Sequence, residues 1–321
     1  MATTVHNPLK IYSQQLLIQF RKAKTTKNPA LYLYTHNART PLFMAQSITR
    51  ILVNLNTSPN FESWHKAFKK VEDALGEIDF YNVTIKNFIK NKLIKKNQID
   101  YLIKKKNKAI DKLNKKLIEK EFYLSVFNQV ILANELNLND ILIVNEIKKY
   151  IDKEVNYISE FFSQFPKSFD NMELQVHELR RKLRWLSIYA QSLNGIIVLK
   201  KVTTKYEWEK QFITASEKTS VYNNLNVVKN LNNYIYFNHK VFYALSFIIN
   251  KLGDIKDLGL NIYLIEKSIR KTHIQKINNV EEMAIKQLQL NTTESDLLND
   301  AHKFLTLFIK KHAILQQLIL K

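Results

Sequence analysis

The chain contains no cysteine, which excludes disulfides, thiolate nucleophiles and cysteine-liganded zinc. Glycine and proline are scarce too, at four and five in 321 residues, and every proline precedes Lys167. So little turn material, beside so much Leu, Ile, Lys and Asn, predicts long helices joined by short connections. The sequence offers no run of about 18 apolar residues, so no membrane span is expected. The N-terminus, MATTVHNPLK, lacks the apolar core of a signal peptide, and the expected location is cytoplasmic. Acidic residues are also in deficit, with 29 Asp plus Glu against 49 Lys plus Arg, a formal net charge of +20. A chain that basic commonly meets a polyanion: nucleic acid, an anionic membrane or a phosphate polymer.

What is present can build a core, since 45% of the residues are hydrophobic. Apolar residues recur at helical spacing from about His6 to Lys24, and a new helix starts at Asn28-Pro29, where a first-turn proline is tolerated. Pro41 either kinks that helix or lets Thr40 cap a new one. Asn54 to Asn60 reads as a loop, Phe61 to Leu75 as a helix stopped by Gly76, and another helix runs to Ile89. Lys90 to Lys120 carries 12 lysines against three acids, with Ile99, Leu102, Ile103, Ile110, Leu113 and Leu117 at helical spacing. That is an amphipathic helix with a lysine-coated back, and a solvated face is the ordinary reading of most of those lysines.

Helices are expected at about Phe122–Leu136 and Asn139–Phe165, before a boundary at Phe165-Pro166-Lys167-Ser168. Ser168 or Asp170 can cap the next helix, which runs to Asn194-Gly195. Ile196 to Val202 is consistent with a brief strand or a helix. A helix from Tyr234 to Leu252-Gly253 follows, then others near Leu258–Ile277, Glu281–Leu290 and Ser295–Leu320.

Val176 to Gln191, VHELRRKLRWLSIYAQ, separates into two faces at 100° per residue. Leu179, Leu183, Leu186, Ala190 and Leu193 form an apolar stripe, and His177, Arg180, Arg181, Arg184 and Ser187 lie opposite. Thr35 to Arg50 repeats the arrangement, with His36, Arg39, Gln46 and Arg50 on one face unless a break at Pro41 displaces His36 and Arg39. A second landmark pairs Leu75-Gly76-Glu77-Ile78 with Leu252-Gly253-Asp254-Ile255, using two of the four glycines. His-x-x-Arg followed by Leu-Gly-acid-Ile thus occurs twice in the same order. The expected fold is all-α: two pseudo-symmetric helical bundles from an internal duplication, residues 1–165 and 166–321, together one domain.

At these residues the chain resembles the conserved histidine α-helical domain, CHAD. That family's pattern is His-x-x-Arg-x-x-x-Arg/Lys-x-x-Arg, then Leu-Gly-x-x-Arg-Asp. Here it is met by His177, Arg180, Arg184, Leu252, Gly253, Lys256 and Asp257, with Ser187 and Lys256 as departures. In the first half Phe43 and Gln46 fall at basic positions, and Asp79 replaces the second motif's arginine. The resemblance spans nearly the whole chain and implies two helical bundles that bind inorganic polyphosphate through central basic residues.

Chemistry gives such a face a use. Guanidinium groups offer paired planar donors to phosphate oxygens, and Arg180 and Arg184, one turn apart, could hold neighbouring phosphates. His177 would add a donor, Arg181 and Arg50 further cations, and His36 with Arg39 the first-half counterpart. Lys256, Lys267, Arg270 and Lys271 follow the Leu-Gly motif, and Lys303 and Lys310 lie on the last helix. A solvated face is the ordinary reading for these six, and inward rotation would add them to the site.

Catalysis finds little support. His177-Glu178 begins like HExxH, but Arg181 stands where the second histidine must be. No glycine-rich phosphate loop and no G-x-S-x-G occurs, and no metal or cofactor is implied. The expectation is a polyphosphate-binding protein that associates with polyphosphate granules, and not an enzyme. The alternative is a basic helical nucleic-acid-binding or scaffolding protein that uses the Lys90–Lys120 helix.

Overall fold

The computed structural model describes residues 6–56, 58, 60–118, 122–132, 136–228, 231–272 and 279–320. The protein is all-α. Its first half comprises α1 (Pro8–Lys24), α2 (Pro29–Thr35), α3 (Arg39–Asn54), α4 (Asn60–Ile89), α5 (Lys96–Ile118), α6 (Phe122–Leu132) and α7 (Ile141–Ser163). The second contains α8 (Glu178–Ser192), β1 (Ile197–Lys200), α9 (Glu209–Phe212), α10 (Ala215–Thr219), β2 (Ile235–Asn238), α11 (His239–Thr272), α12 (Val280–Leu288) and α13 (Glu294–Leu305). Residues 119–120, 133–135 and 273–277, which the sequence placed in helices, lie outside the described residues.

Local chemistry sets the helix starts. Asn7 and Asn28 accept hydrogen bonds from the backbone N–H groups of Lys10 and Leu31, and a proline follows each as first helical residue. Asp140 caps α7, and Thr293 with Asp296 forms a reciprocal capping box on α13. Asn171, rather than Ser168 or Asp170, caps a wide turn at Met172–His177 that runs directly into α8.

The two Leu-Gly landmarks are not helix ends. α4 continues through Gly76 and α11 through Gly253, because each glycine is covered by an arginine from another helix and has no need of a left-handed turn. The expected helix from Tyr234 begins instead at His239. Ile235–Asn238 is a strand paired in parallel with β1, Ile197 opposite Ile235. This short sheet gains a bridge from Phe237 to Ile319, since α13 gives way to a wide turn at Thr306–Lys311 instead of continuing to Leu320.

One continuous apolar core runs through both halves, from Leu16 and Phe127 to Leu186, Phe242 and Phe308. The halves are therefore one packed body, and His6 of the first reaches the Leu193 carbonyl of the second at 3.2 Å. On α5, Leu102, Ala109, Ile110 and Leu113 are buried while Lys104, Lys108, Lys112 and Lys115 are exposed, as the periodicity predicts. Among the described residues no helix is long and apolar enough to cross a membrane.

Candidate anion site between two arginine-bearing helices

Helices α3 and α8 cross where the buried hydroxyls of Ser47 and Ser192 meet at 2.8 Å. Beside the crossing lies a cavity of about 830 Å³, walled by α3, α4, α8 and α11. That is a volume typical of small-ligand sites. Leu179, Leu183 and Leu186 are fully buried behind α8, which turns the arginine face of the helix toward the cavity. On α3, Leu42, Ala45 and Ile48 do the same for Arg39, Phe43, Gln46 and Arg50.

The two glycines position the arginines. A methyl group on Gly76 would fall 2.9 Å from Arg39 Nη2, and one on Gly253 would fall 3.0 Å from Arg180 Nε. Each guanidinium thus lies against bare helix backbone, closer than it could sit over a Cβ without shifting. The same arrangement occurs once in each half.

Their charge environments differ. Arg39 donates to Glu72 Oε1 at 2.8 Å and to Asp79 Oδ2 at 2.9 Å, so two carboxylates surround it. Arg50 is likewise paired, to Glu154 at 2.9 Å and to the Tyr150 hydroxyl at 3.2 Å. Burial acts to lower the Arg50 pKa, but Tyr189, Tyr150 and Glu154 outweigh it and hold the value above the usual one.

Arg180 donates Nε to the Ile249 carbonyl at 3.1 Å and has no ion pair among the described residues. Burial pulls its pKa down, against the attraction of Asp257 and Asp254. Arg184 has neither a hydrogen bond nor an ion pair among them; its guanidinium sits 4.7 Å over the Phe43 ring. Burial first, then repulsion from Arg180 and Arg39, pushes the Arg184 pKa down to about 10. It remains charged at neutral pH and half-buried, attracted by Glu72 but with no carboxylate bonded to it among the described residues. Such a group binds an incoming anion at little further desolvation cost.

Around this pair stand other polar groups. His177 is at the rim, with Nδ1 3.0 Å from Glu173. Arg181 and Lys182 share Glu178, and Lys182 also lies over the Tyr157 and Phe161 rings at 4.3 and 4.9 Å. Lys256 pairs with Asp257, and Lys267 donates to the Tyr263 hydroxyl at 3.2 Å. The Gln46 side chain, 3% exposed, faces the cavity with its Oε1 unpartnered.

The structure therefore gathers Arg39, Arg50, His177, Arg180, Arg181, Arg184, Lys256 and Lys267 around one cavity. It does not bring in the other five expected residues. The chain breaks between α2 and α3, with Asn37 in the left-handed region at φ 55°, and this rotates His36 away from Arg39. His36 instead stacks on Tyr32 at 3.8 Å and faces solvent. Arg270 and Lys271 are exposed on the last turn of α11. Lys303 and Lys310 are exposed on α13 and the turn after it, with Lys310 over Phe162. None of the four lines the cavity.

Residues that the sequence did not single out are Lys69, His65, Glu72, Lys182 and the tyrosines at 81, 101 and 263. Burial, then Arg50 and Lys69, depress the His65 pKa against its bond to the Gln46 carbonyl, which keeps the ring neutral near pH 7. Only Glu72 carried a signal: its place four residues before Gly76, on the face that meets Arg39.

No protein-family model, no curated protein and no solved structure matches the chain. The site is therefore read from its own residues.

Proposed function

We propose that this protein is a polyphosphate-binding module, a divergent CHAD-like chain whose anion site is the cavity between α3, α4, α8 and α11. The observation that carries the reading is Arg180 and Arg184, one helical turn apart, facing one cavity without a carboxylate bonded to either among the described residues. Two such cations in a partly desolvated wall match a polymer that carries about one negative charge per phosphate. Lys256, paired with Asp257, adds a further cation, His177 adds a ring N–H at the rim, and Gln46 offers a buried amide that a ligand or a water would satisfy.

The seating of Arg39 on Gly76 and of Arg180 on Gly253 supports the reading of an internal duplication. A binding role is what a wall of guanidinium groups supports. A cytoplasmic protein that associates with polyphosphate granules follows from the same reading.

Replacing both arginines tests it. The Arg180→Ala/Arg184→Ala variant should lose long-chain polyphosphate binding by about 100-fold, as two charge-assisted hydrogen-bonding groups disappear. Wild-type affinity in that variant would refute the site.

A second reading, nucleic-acid or scaffold binding on α5, is favoured by the lysines gathered there. Lys116 has a pKa lowered by burial and by repulsion from Lys112 and Lys70. RNA that displaces polyphosphate at equal phosphate concentration would favour this second reading.

A further inference from the structure

The two acids bonded to Arg39 have no bonded counterpart at Arg180, which Asp257 and Asp254 attract only at longer range. Counted from the two glycines, Glu72 and Ile249 occupy the same helical position, four residues earlier. Arg39 Nε donates to the Glu72 carboxylate at 2.8 Å, and Arg180 Nε donates to the Ile249 backbone carbonyl at 3.1 Å. The same nitrogen finds an acceptor at the same place, charged in one half and neutral in the other. Three residues after each glycine the contrast recurs: Asp79 bonds Arg39 Nη1 at 2.9 Å, whereas Lys256 adds a cation to the wall beside Arg180.

Both carboxylates are fixed. Glu72 is 5% exposed, and Asp79 accepts a second hydrogen bond from the Tyr34 hydroxyl at 3.1 Å, itself held by Asn82 at 2.9 Å. Phe43 stands between the halves, with Arg39 and Arg184 at 5.1 and 4.7 Å from its ring. An anion lying against α8 therefore meets two guanidiniums, while one advancing toward α4 meets Glu72 and Asp79 and must displace them from Arg39. Glu77 and Asp73 continue the acidic wall on the same helix.

We propose that Glu72 and Asp79 act as built-in counter-anions that close the first-half arm of the cavity, so that the site holds only a short stretch of a few phosphate groups against Arg180, Arg184 and Lys256. This rests on the polyphosphate reading above and adds a length selectivity to it. Affinity grows with chain length only until the second-half arm is filled, because further phosphates advancing toward α4 find Arg39 already bonded to Glu72 and Asp79.

The test titrates the full-length protein calorimetrically with tripolyphosphate and with long-chain sodium polyphosphate, both expressed per bound segment. Wild type should bind the two probes within about threefold of each other. Asp79→Lys and, separately, Glu72→Gln each remove one of the two carboxylates bonded to Arg39, and each should improve long-chain affinity about tenfold while changing tripolyphosphate affinity much less. Circular dichroism confirms that each variant is folded, and Asp79→Asn is the milder substitute if Asp79→Lys is not. A wild type that prefers the long chain by more than tenfold, or folded variants with an unchanged ratio, overturns the inference and leaves the polyphosphate reading standing. Failure of wild type and variants to bind either probe overturns both.

Discussion

In the first half of the molecule Arg39 lies over Gly76 with Glu72 and Asp79 bonded to it; in the second, Arg180 lies over Gly253 and donates to a backbone carbonyl instead. Backbone geometry is shared and electrostatics is not. The first arrangement is a completed ion-pair cluster whose loss would harm the fold. In the second, guanidinium groups are held in place by packing while their charge stays open. A like placement of arginine on glycine is thus closed by carboxylates in one half and left open in the other, and the residues four before and three after the glycine make the difference.

The sharpest way to break this comparison is to remove one arginine from each half and measure stability without ligand. Arg39→Met strands the 5%-exposed Glu72 carboxylate, and should cost about 2–4 kcal/mol in urea unfolding at pH 7. The loss should shrink in acid. Burial already raises the Glu72 pKa above the usual 4.5, with Arg39 opposing that shift. The native state therefore binds this proton more tightly than the unfolded chain does. Glu72's contribution is most favourable below pH 4.5 and is eroded as pH rises through the raised value. Without Arg39 that erosion should deepen.

Arg184→Met should act in the opposite direction. Arg184 is charged and half-buried with no bonded carboxylate, only the longer-range attraction of Glu72, so an apolar side chain of similar length should stabilise the free protein by about 1–2 kcal/mol. Polyphosphate should raise the melting temperature of the wild type and not that of this variant. A destabilised Arg184→Met protein would mean that the guanidinium has a structural partner, contrary to the account.

Smaller effects are expected at the glycines. Gly253→Ala places a methyl 3.0 Å from Arg180 Nε and should weaken polyphosphate binding by about threefold to tenfold as the guanidinium shifts. Gly76→Ala pushes on an arginine already held by carboxylates, and should leave binding unchanged while costing about 1 kcal/mol of stability. Smallest is the difference in salt dependence. For every phosphate that α8 can no longer neutralise, the slope of log K against log salt should become shallower by about 0.7, by analogy with single-stranded nucleic acids.

How far the sequence reached differs along the chain for physical reasons. The helix face of α8 was legible because a strict leucine stripe fixes which side is buried, and with it where Arg180 and Arg184 must point. α3 was half legible. Arg39 and Arg50 face the cavity as expected, yet His36 is lost to a helix break whose left-handed Asn37 left no clear mark beside Pro41. Gly76 and Gly253 were noticed for the right sequence and the wrong structure. A glycine read as a helix stop is in both cases a seat for an arginine from another helix, and no local pattern reports a partner so distant in the chain.

Strand β2 escaped because Phe237, Val241 and Leu245 keep a four-residue spacing across its boundary with α11, and its partner lies more than thirty residues away. Glu72 and Asp79 were visible as acids, but their bond to Arg39 depends on how α3 lies against α4.

The most direct test of the central claim sets the cavity against the lysine helix in one titration series. Long-chain polyphosphate is titrated into wild type, into Arg180→Ala/Arg184→Ala, and into the charge-matched Lys108→Ala/Lys112→Ala, whose two lysines are exposed on α5. The cavity double variant should lose about 100-fold in affinity and the α5 double variant less than about threefold. Equal losses in both, or a loss confined to the α5 variant, would contradict the assignment of the site to α8.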